Sequence, residues 1–201
     1  MRIRSADLAA VLSRPEGRPP DDLPQVVVVG RSNVGKSSLL NRLAGRRALA
    51  PVSSTPGKTR GLHFYLINDR FYLVDLPGYG YARTPGFIQR RWRPLIEGYL
   101  TTARRLTGAV LLLDARHLPT EDDRLMAEYL GGLSIPTLFV LTKIDKLKRS
   151  ERDRRTREIL GALGIPRDRA VWFSAKTGEG KVLLLKSLSE LVRASERSEA
   201  Q

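Results

Sequence analysis

Apolar residues along the chain fall into short runs that predict buried β-strands alternating with helices. The run QVVVV at residues 25–29 is continuous and β-branched, as in a strand that is covered on both faces. The later runs GAVLLLD, TLFVL and AVWF have the same character and are separated by helical stretches. Strands that alternate with helices predict an α/β fold, in which a mostly parallel sheet is covered by helices on both sides.

Two further segments, LHFYLI and RFYLVD, lie on either side of Asn68 and Asp69, a pair typical of a tight hairpin turn. These two strands should therefore pair antiparallel and bring the predicted sheet to six strands. Residues 1–24 are polar and rich in proline, and they predict a loosely held arm with at most one short helix around Ala6–Leu12. No internal repeat or linker indicates a second domain. We expect an arm at 1–23, one domain at 24–195 and a polar tail at 196–201.

Composition narrows the class of partner. The chain has 201 residues and a formal charge of +14, from 35 Lys and Arg against 21 Asp and Glu. Such an excess favours a polyanionic partner, because each neutralised phosphate releases counterions, although a surface simply rich in arginine is the alternative. The absence of cysteine excludes disulfides and cysteine-ligated metals, and fits a cytoplasmic protein. No apolar run approaches the roughly 18 residues of a membrane span, so we expect no membrane contact.

The turn after the first buried strand carries a phosphate-binding motif. GRSNVGKS at residues 30–37 matches G-x-x-x-x-G-K-[ST] directly before a predicted helix, which is the context that the motif requires. Its glycines let the backbone surround phosphates, Lys36 can contact the β and γ oxygens, and the Ser37 hydroxyl can bind Mg²⁺. The predicted binding residues are Gly30, Arg31, Ser32, Asn33, Val34, Gly35, Lys36 and Ser37.

Two later strand ends favour guanine as the base. In LTKID, the Asp145 carboxylate can accept hydrogen bonds from guanine N1–H and the exocyclic amine, whereas adenine offers no matching pair of donors. The stem of Lys143 can lie along the base, and in FSAKTGEG the backbone N–H of Ala175 can donate to guanine O6. The candidate residues at these two strand ends are Thr142, Lys143, Ile144, Asp145, Ser174, Ala175 and Lys176.

Together these motifs resemble the translation-factor-related GTPases and, more narrowly, the EngB family of bacterial ribosome-assembly GTPases, within the TrmE-Era-EngA-EngB-septin-like branch. The resemblance spans about residues 24–192 and rests on GRSNVGKSSLLNRL, STPGKTR, DLPGYGYA, ARHLPTEDDRLM, LTKIDK and FSAKTGEG. DLPGYGYA is the most specific of these. The family implies a three-layer P-loop NTPase fold, a Ras-like GTPase domain with one antiparallel strand in its sheet.

The resemblance also implies a function and further site residues. It implies a monomer that binds GTP or GDP with Mg²⁺, associates with ribosomal RNA or the precursor of the large ribosomal subunit, and is linked to cell division and septation. By the family pattern Thr59 joins Ser37 on Mg²⁺, Asp75 holds the metal through water, and the Gly78 N–H meets the γ-phosphate. Arg60 departs from the family pattern, because a glutamine is common there. The implied nucleotide contacts are Gly57, Lys58, Thr59, Arg60, Gly61, Asp75, Leu76, Pro77 and Gly78.

In DLPGYGYA, Tyr79 stands where many GTPases carry a glutamine that orients the attacking water. A tyrosine has no amide that can both accept from and donate to one water, so hydrolysis should be slow without a partner. Lys36, Thr59 and Asn33 are the candidate catalytic residues. Asn33 either caps the turn or, as in related potassium-activated GTPases, holds K⁺ against the phosphates; the ribosome could also supply the missing groups.

Three functions compete at this stage. The first is a slow GTPase that acts in large-subunit assembly. The second is a P-loop kinase of small molecules, for which residues that recognise guanine would be superfluous. The third is a nucleotide-dependent RNA-binding module with negligible turnover of its own. The first and third differ only in the rate of GTP hydrolysis, so a hydrolysis assay with and without ribosomes separates them.

Overall fold

The fold is a seven-stranded sheet with helices on both of its faces. The computed structural model describes residues 1–13, 22–51, 61–80 and 87–198, of which 87–93 and 194–198 enter as helical backbone alone. Within these ranges the strands are β1 (Ala6–Leu12), β2 (Gln25–Gly30), β3 (Leu62–Ile67), β4 (Phe71–Asp75), β5 (Leu106–Asp114), β6 (Thr137–Thr142) and β7 (Ala170–Trp172). The helices are α1 (Lys36–Ala44), α2 (Phe87–Thr102), α3 (Glu121–Gly132), α4 (Arg149–Ala162) and α5 (Lys181–Ser198).

The strands follow the order β1-β3-β4-β2-β5-β6-β7 across the sheet. β2 pairs in parallel with both β4 and β5, and the pairs β5–β6 and β6–β7 are also parallel. β3 pairs antiparallel with β4 and with β1, so it is the one strand of the sheet that runs in the opposite direction. The prediction of a mostly parallel sheet with one antiparallel strand is confirmed, but the predicted count of six is wrong because β1 adds a seventh.

The prediction of a short helix around Ala6–Leu12 is also wrong. This segment is β1, and it pairs with β3 from Ala6 opposite Ile67 to Leu12 opposite Leu62, with a register shift near its middle. Alanine and leucine favour a helix locally, but without β1 the outer edge of β3 would expose a row of unpaired backbone groups. Pairing with that distant strand therefore overrides the local preference.

Alternate residues of β2 separate the two layers of the core. Val26 and Val28 pack on one side of the sheet in a buried cluster that includes leucines of α1 and α5. Val27 and Val29 pack on the other side, in a cluster to which α2, α3 and α4 contribute. All of β2 is buried, as expected for a continuous β-branched run. The predicted arrangement of three layers, helix, sheet and helix, is confirmed.

The parallel strands all end at the same edge of the sheet. The residues that end β2, β4, β5, β6 and β7 are Gly30, Asp75, Asp114, Thr142 and Trp172. Ligands of open α/β sheets bind outside the carboxyl ends of the strands, so this edge is the place to examine for a site. Among the described helices, none is long and apolar enough to cross a membrane.

Candidate nucleotide-binding site

The chain passes from β2 to α1 through the turn at residues 30–37. Gly35 has a φ of +117°, and no atom lies within 4 Å of the place where its Cβ would be, so the backbone needs glycine and the space beside it is open. A Cβ on Gly30 would lie 2.9 Å from the carbonyl oxygen of Leu112 in β5. The N-cap residue of α1 is Gly35, which has no side chain that could accept from the first N–H groups. The first N–H groups of this helix therefore have no intrahelical or capping partner and can bind an anion.

Lys36 and Asp75 place opposite charges beneath this turn. The Lys36 side chain is buried, and its Nζ donates to the carbonyl oxygen of Gly30 at 3.2 Å. Burial lowers the pKa of Lys36, an effect that the Asp75 carboxylate opposes. Burial raises the pKa of Asp75 to about 6, and Lys36 opposes that shift in turn. Within the described residues, Oδ1 of Asp75 is buried without a hydrogen-bond partner. A buried oxygen without a partner destabilises the free chain and favours a ligand that satisfies it.

The segment that follows β4 lies directly against the phosphate-binding turn. The backbone N–H of Ser32 donates to the carbonyl oxygen of Tyr79 at 2.9 Å, and the Ser32 hydroxyl donates to that of Gly78 at 3.2 Å. A Cβ on Gly78 would lie 2.9 Å from Nζ of Lys36 and 2.9 Å from the Ser32 nitrogen. The Ser32 backbone leaves room only for glycine at position 78, and this close approach places the segment after β4 beside the Lys36 ammonium.

The side chain of Tyr79 extends from this segment to α3. Its hydroxyl donates to Oδ1 of Asp123 at 2.8 Å. Asp123 also accepts from the backbone and hydroxyl of Thr120, which caps the first turn of α3. Burial, followed by the charge of Asp123, raises the pKa of Tyr79 well above its usual value, so the phenol stays protonated and remains a donor. The hydroxyl is thus engaged with α3.

The end of β6 is tied to the phosphate-binding turn by two hydrogen bonds. The Thr142 hydroxyl donates to the carbonyl oxygen of Val34 at 2.8 Å, and Nζ of Lys143 donates to that of Asn33 at 2.7 Å. Lys143 has a φ of +61°, and Asn33, which is exposed, has a φ of +63°. Asparagine tolerates this left-handed conformation better than most residues. These bonds hold the two sequence motifs beside each other.

Asp114, which the sequence analysis does not single out, orients Lys143. Its Oδ2 accepts from Nζ of Lys143 at 2.9 Å, and its two oxygens accept from the Arg116 guanidinium at 2.9 and 2.7 Å. Burial by itself would raise the pKa of Asp114, but the hydrogen bonds from Arg116 and Lys143 outweigh it and hold that pKa well below its usual value. The signal that could have identified Asp114 is its place as the last residue of a buried parallel strand.

The loop after β7 fixes the carboxylate of Asp145. The buried hydroxyl of Ser174 donates to Oδ1 of Asp145 at 2.7 Å and accepts from the backbone N–H of Thr177 at 3.1 Å. The tight path of this loop depends on Gly180, which has a φ of +82° and whose Cβ would lie 1.8 Å from the carbonyl oxygen of Trp172. The two guanine motifs of the sequence therefore meet at Asp145 and Ser174.

A cleft of about 820 Å³ opens between the phosphate-binding turn and these two strand ends. Its lining includes residues predicted to contact guanine together with the exposed basic end of α1. Arg42 donates to the carbonyl oxygen of Lys176 at 2.8 Å, and Nζ of Lys181 donates to the carbonyl oxygen of Arg42 at 2.7 Å. Arg42 of α1 thus contacts the loop after β7 and is itself contacted by Lys181 of α5, although no sequence pattern predicts these bonds.

The remaining candidates fall into three groups. Gly57, Lys58, Thr59 and Arg60 lie outside the described residues. Ser37 is half-buried in the first turn of α1, while Leu76, Pro77 and Ile144 are buried. Gly61 is described, and it packs against β1, because its Cβ would lie 2.5 Å from the carbonyl oxygen of Leu12. Among the described residues, no group of three or more His, Cys, Asp and Glu side chains is placed to hold a metal ion.

Comparison with known proteins agrees with this geometry. Residues 25–143 match the family model of a 50S ribosome-binding GTPase. The chain is 49% identical over 193 residues to a probable GTP-binding protein EngB of Gemmatimonas aurantiaca, with 96% of this chain and 95% of that protein covered. It is 45% identical over 194 residues to the protein of the same name in Desulforamulus reducens, with 96% and 95% covered. A crystal structure of a probable GTP-binding protein engB matches with a TM-score of 0.71 at 25% identity, and covers 85% of this chain and 99% of that chain.

Proposed function

Because the chain belongs to the EngB family of GTP-binding proteins, we propose that it is a slow, Mg²⁺-dependent GTP switch that acts in assembly of the large ribosomal subunit. The chain binds guanine nucleotide and hydrolyses GTP, as a P-loop GTPase of this family does. The observation that carries the proposal of a switch is the close approach of Gly78 to Lys36 and Ser32. With this approach, the segment after β4 would lie beside the terminal phosphate.

In this proposal Lys36 neutralises the β- and γ-phosphates, and the backbone N–H of Gly78 donates to the γ-phosphate. The buried ammonium has its pKa lowered by burial, so an anionic ligand beside it stabilises its charged form. Loss of the γ-phosphate on hydrolysis removes the Gly78 contact while the diphosphate contacts of the turn remain. The segment after β4 can then move, and its position reports the nucleotide state to a partner.

The residues at the site fit a bound Mg²⁺. Oδ1 of Asp75 is a buried carboxylate oxygen with no partner among the described residues, and oxygen is the ligand type that Mg²⁺ prefers. By the family pattern, the hydroxyls of Ser37 and Thr59 would hold the metal directly and Asp75 would hold it through water. The metal, when bound, neutralises charge that develops on the β- and γ-phosphate oxygens.

Selectivity for guanine is assigned to Asp145, whose orientation Ser174 fixes at 2.7 Å. The carboxylate would accept from guanine N1–H and from the exocyclic amine, and the backbone N–H of Ala175 would donate to O6. Adenine lacks that pair of donors, and its binding would leave the carboxylate unpaired in a closed cleft. Lys143 would lie along the base while its ammonium holds the turn through Asn33.

Slow hydrolysis follows from the engagement of Tyr79 with Asp123. That hydroxyl is committed to α3, and the side chain has no amide with which to orient water. The missing positive charge would come either from K⁺ beside Asn33 or from groups of the ribosome. We take groups of the ribosome as the source and K⁺ beside Asn33, whose backbone has a φ of +63°, as the alternative that hydrolysis rates in matched KCl and NaCl test.

The proposed partner is ribosomal RNA of the large subunit or of its precursor. Two facts support it: the family model is described as a 50S ribosome-binding GTPase, and the net charge of +14 suits an RNA surface. We propose a cytoplasmic monomer whose link to cell division and septation is indirect, through the supply of ribosomes. Membership in a GTPase family argues against the alternative of an RNA-binding module with negligible turnover.

Co-sedimentation tests the proposal. The full chain is centrifuged with purified 50S subunits in the presence of a non-hydrolysable GTP analogue, GDP or no nucleotide. We expect the bound fraction to differ at least several-fold between nucleotide states. Equal binding in all three states would contradict the proposed switch, and an absence of binding in every state would contradict the ribosomal role.

A further inference from the structure

Five exposed arginines lie along the outer edge of the sheet and the end of α1. Arg2 and Arg4 precede β1, Arg70 lies in the turn between β3 and β4, and Arg46 and Arg47 follow α1. We call this set the basic rim. We propose that the basic rim binds the RNA phosphate backbone, an inference that rests on the proposed function and names the surface that carries it out.

Asn68 attaches the N-terminal segment to the hairpin. Its Oδ1 accepts from the backbone N–H groups of Arg4 at 2.6 Å and Ser5 at 3.2 Å, and its Nδ2 donates to the carbonyl oxygen of Arg2 at 2.8 Å. Three hydrogen bonds from one side chain thus bring Arg2 and Arg4 to the turn that carries Arg70. Arg2 and Arg4 reach this turn because the segment that follows them forms β1, a strand that the sequence patterns did not predict.

β1 is held by backbone pairing and by partial burial. Of its seven residues Ala6 is fully buried, Ala10 and Leu12 are partly buried against the core, and Asp7, Leu8 and Val11 are exposed. Its pairing with β3 covers the edge of that strand and holds in place the arginines that precede β1.

Arg46 connects this segment to α1. Its guanidinium donates to the carbonyl oxygen of Ala6, and it forms an ion pair with Asp7 at 2.7 Å. Arg47 follows directly and lines the nucleotide cleft. The basic rim thus extends from the hairpin to the mouth of that cleft, and Asp7 and Asp69 are two exposed carboxylates that lie along it.

Among the described side chains, helix α4 forms another arginine-rich surface, and carboxylates beside it neutralise most of its charge. Arg154 and Arg155 pair with Glu158, Arg152 pairs with Glu179, and Asp153 pairs with Arg167. Within the described part of the chain, the two arginines of α4 that form no such pair are Arg149 and Arg157. Three of the five arginines of α4 are thus paired with a carboxylate, whereas in the basic rim the described ion pairs include one of the five, Arg46 with Asp7.

The side chains of the basic rim suit a phosphate backbone. All five are arginine, whose planar guanidinium donates two parallel hydrogen bonds to a phosphate. A row of such groups along a strand edge matches the regular charges of a nucleic acid backbone. An anionic lipid surface is the other partner that could use these cations, and the experiment separates the two.

The test compares two pairs of charge reversals. Arg4→Glu with Arg70→Glu removes two cations of the basic rim, neither of which lines the nucleotide cleft. The matched control, Arg149→Glu with Arg157→Glu, reverses two unpaired arginines on α4. Each pair lowers the charge of +14 by the same amount. Binding of a fluorescent GDP analogue within about threefold of the parent confirms that both variants are folded.

Binding is measured to a labelled 20-nucleotide oligouridine, to purified 50S subunits and to phosphatidylserine vesicles. We expect the rim pair to raise the dissociation constant for oligouridine at least about tenfold near 0.1 M KCl. The rim pair should also reduce, by about 1.4, the slope of the logarithm of the binding constant against the logarithm of the salt concentration. Each phosphate neutralised on a single strand contributes about 0.7 to that slope, and the variant loses two such contacts. Its affinity for 50S subunits should fall as well. The α4 pair should change each constant by less than about threefold.

The contrary outcomes are distinct. Equal weakening by both pairs, or weakening by the α4 pair alone, overturns the assignment to the basic rim. If the parent binds 50S subunits and the rim variant binds them equally well, the basic rim is not the RNA-binding surface, and the proposed function is unaffected. If the parent binds neither oligouridine nor 50S subunits, both the basic rim assignment and the proposed function are contradicted. If the rim variant loses only vesicle binding, the basic rim binds a lipid surface instead.

Discussion

Replacement of Tyr79 by phenylalanine tests whether the residue in place of the usual glutamine takes part in chemistry. The change removes one hydroxyl, which donates to Oδ1 of Asp123 at 2.8 Å. The cap of α3 survives, because Thr120 still donates to Oδ2 of Asp123 at 2.8 and 2.9 Å. If Tyr79 links the segment after β4 to α3 and does not act on water, the variant loses stability and keeps its basal rate of GTP hydrolysis.

The size of each effect can be estimated. A hydrogen bond to a charged group contributes about 1.5–3 kcal/mol, and we take about 1–2 kcal/mol for this part-buried pair. In a domain of this size, each kcal/mol lowers Tm by about 2–4 °C, so we expect a decrease of about 2–8 °C. Loss of a catalytic group lowers a rate about a hundredfold or more, whereas we expect Tyr79→Phe to stay within about threefold of the parent.

Thermal unfolding and phosphate release from GTP measure the two quantities. Tyr99→Phe is the matched control, because its hydroxyl also donates to one buried partner, Gln25, at the opposite end of β2 from the phosphate-binding turn. Both variants should unfold at lower temperature and hydrolyse GTP at the parental basal rate. A hundredfold lower kcat in Tyr79→Phe alone would refute the structural role and make the phenol a catalytic group.

Four further predictions concern nucleotide and cation. Asp145→Asn should weaken GTP binding and improve binding of xanthosine triphosphate, since an amide complements the xanthine C2 carbonyl; equal affinity of the parent for ATP and GTP would contradict this. Ser37→Ala and Thr59→Ala should weaken Mg²⁺-dependent binding of a GTP analogue more than binding of GDP, as measured by titration with and without the metal. Asp114→Asn should weaken GDP binding about three- to tenfold, because Lys143 loses a charged partner, and an unchanged affinity would show that Lys143 needs no such support. If Asn33 holds K⁺, hydrolysis should be faster in KCl than in matched NaCl, and Asn33→Ala should abolish the difference; identical rates leave the ribosome as the activator.

Local signals were sufficient for much of the fold. The hairpin at Asn68 and Asp69 is confirmed, and both residues have the positive φ that such a turn requires. β2 is buried on both faces, as its run of valines predicts. β1 could not be predicted in the same way, because Ala6–Leu12 has residues that favour a helix locally, and only the edge of β3, some fifty residues along the chain, makes it a strand.

Part of the candidate site could also be predicted from local sequence, and part could not. The phosphate-binding turn and the two guanine motifs each have a local sequence signature, and the structure brings them to one edge of the sheet. The contacts that orient these motifs have no local sequence signature. Asp114 meets Lys143 from 29 positions away, and Tyr79 meets Asp123 from 44 positions away. Such pairs depend on which elements become neighbours in space, and no single stretch of sequence carries that information.

The central claim is that the chain is a slow GTPase whose missing catalytic groups come from the large ribosomal subunit. The most direct measurement is the steady-state rate of GTP hydrolysis by the full chain, alone and with saturating purified 50S subunits, in NaCl so that K⁺ does not contribute. We predict a slow basal rate that rises at least about tenfold with 50S subunits, because a partner that stabilises the charge of the transition state accelerates hydrolysis. A rate that is unchanged by subunits to which the chain demonstrably binds would contradict it.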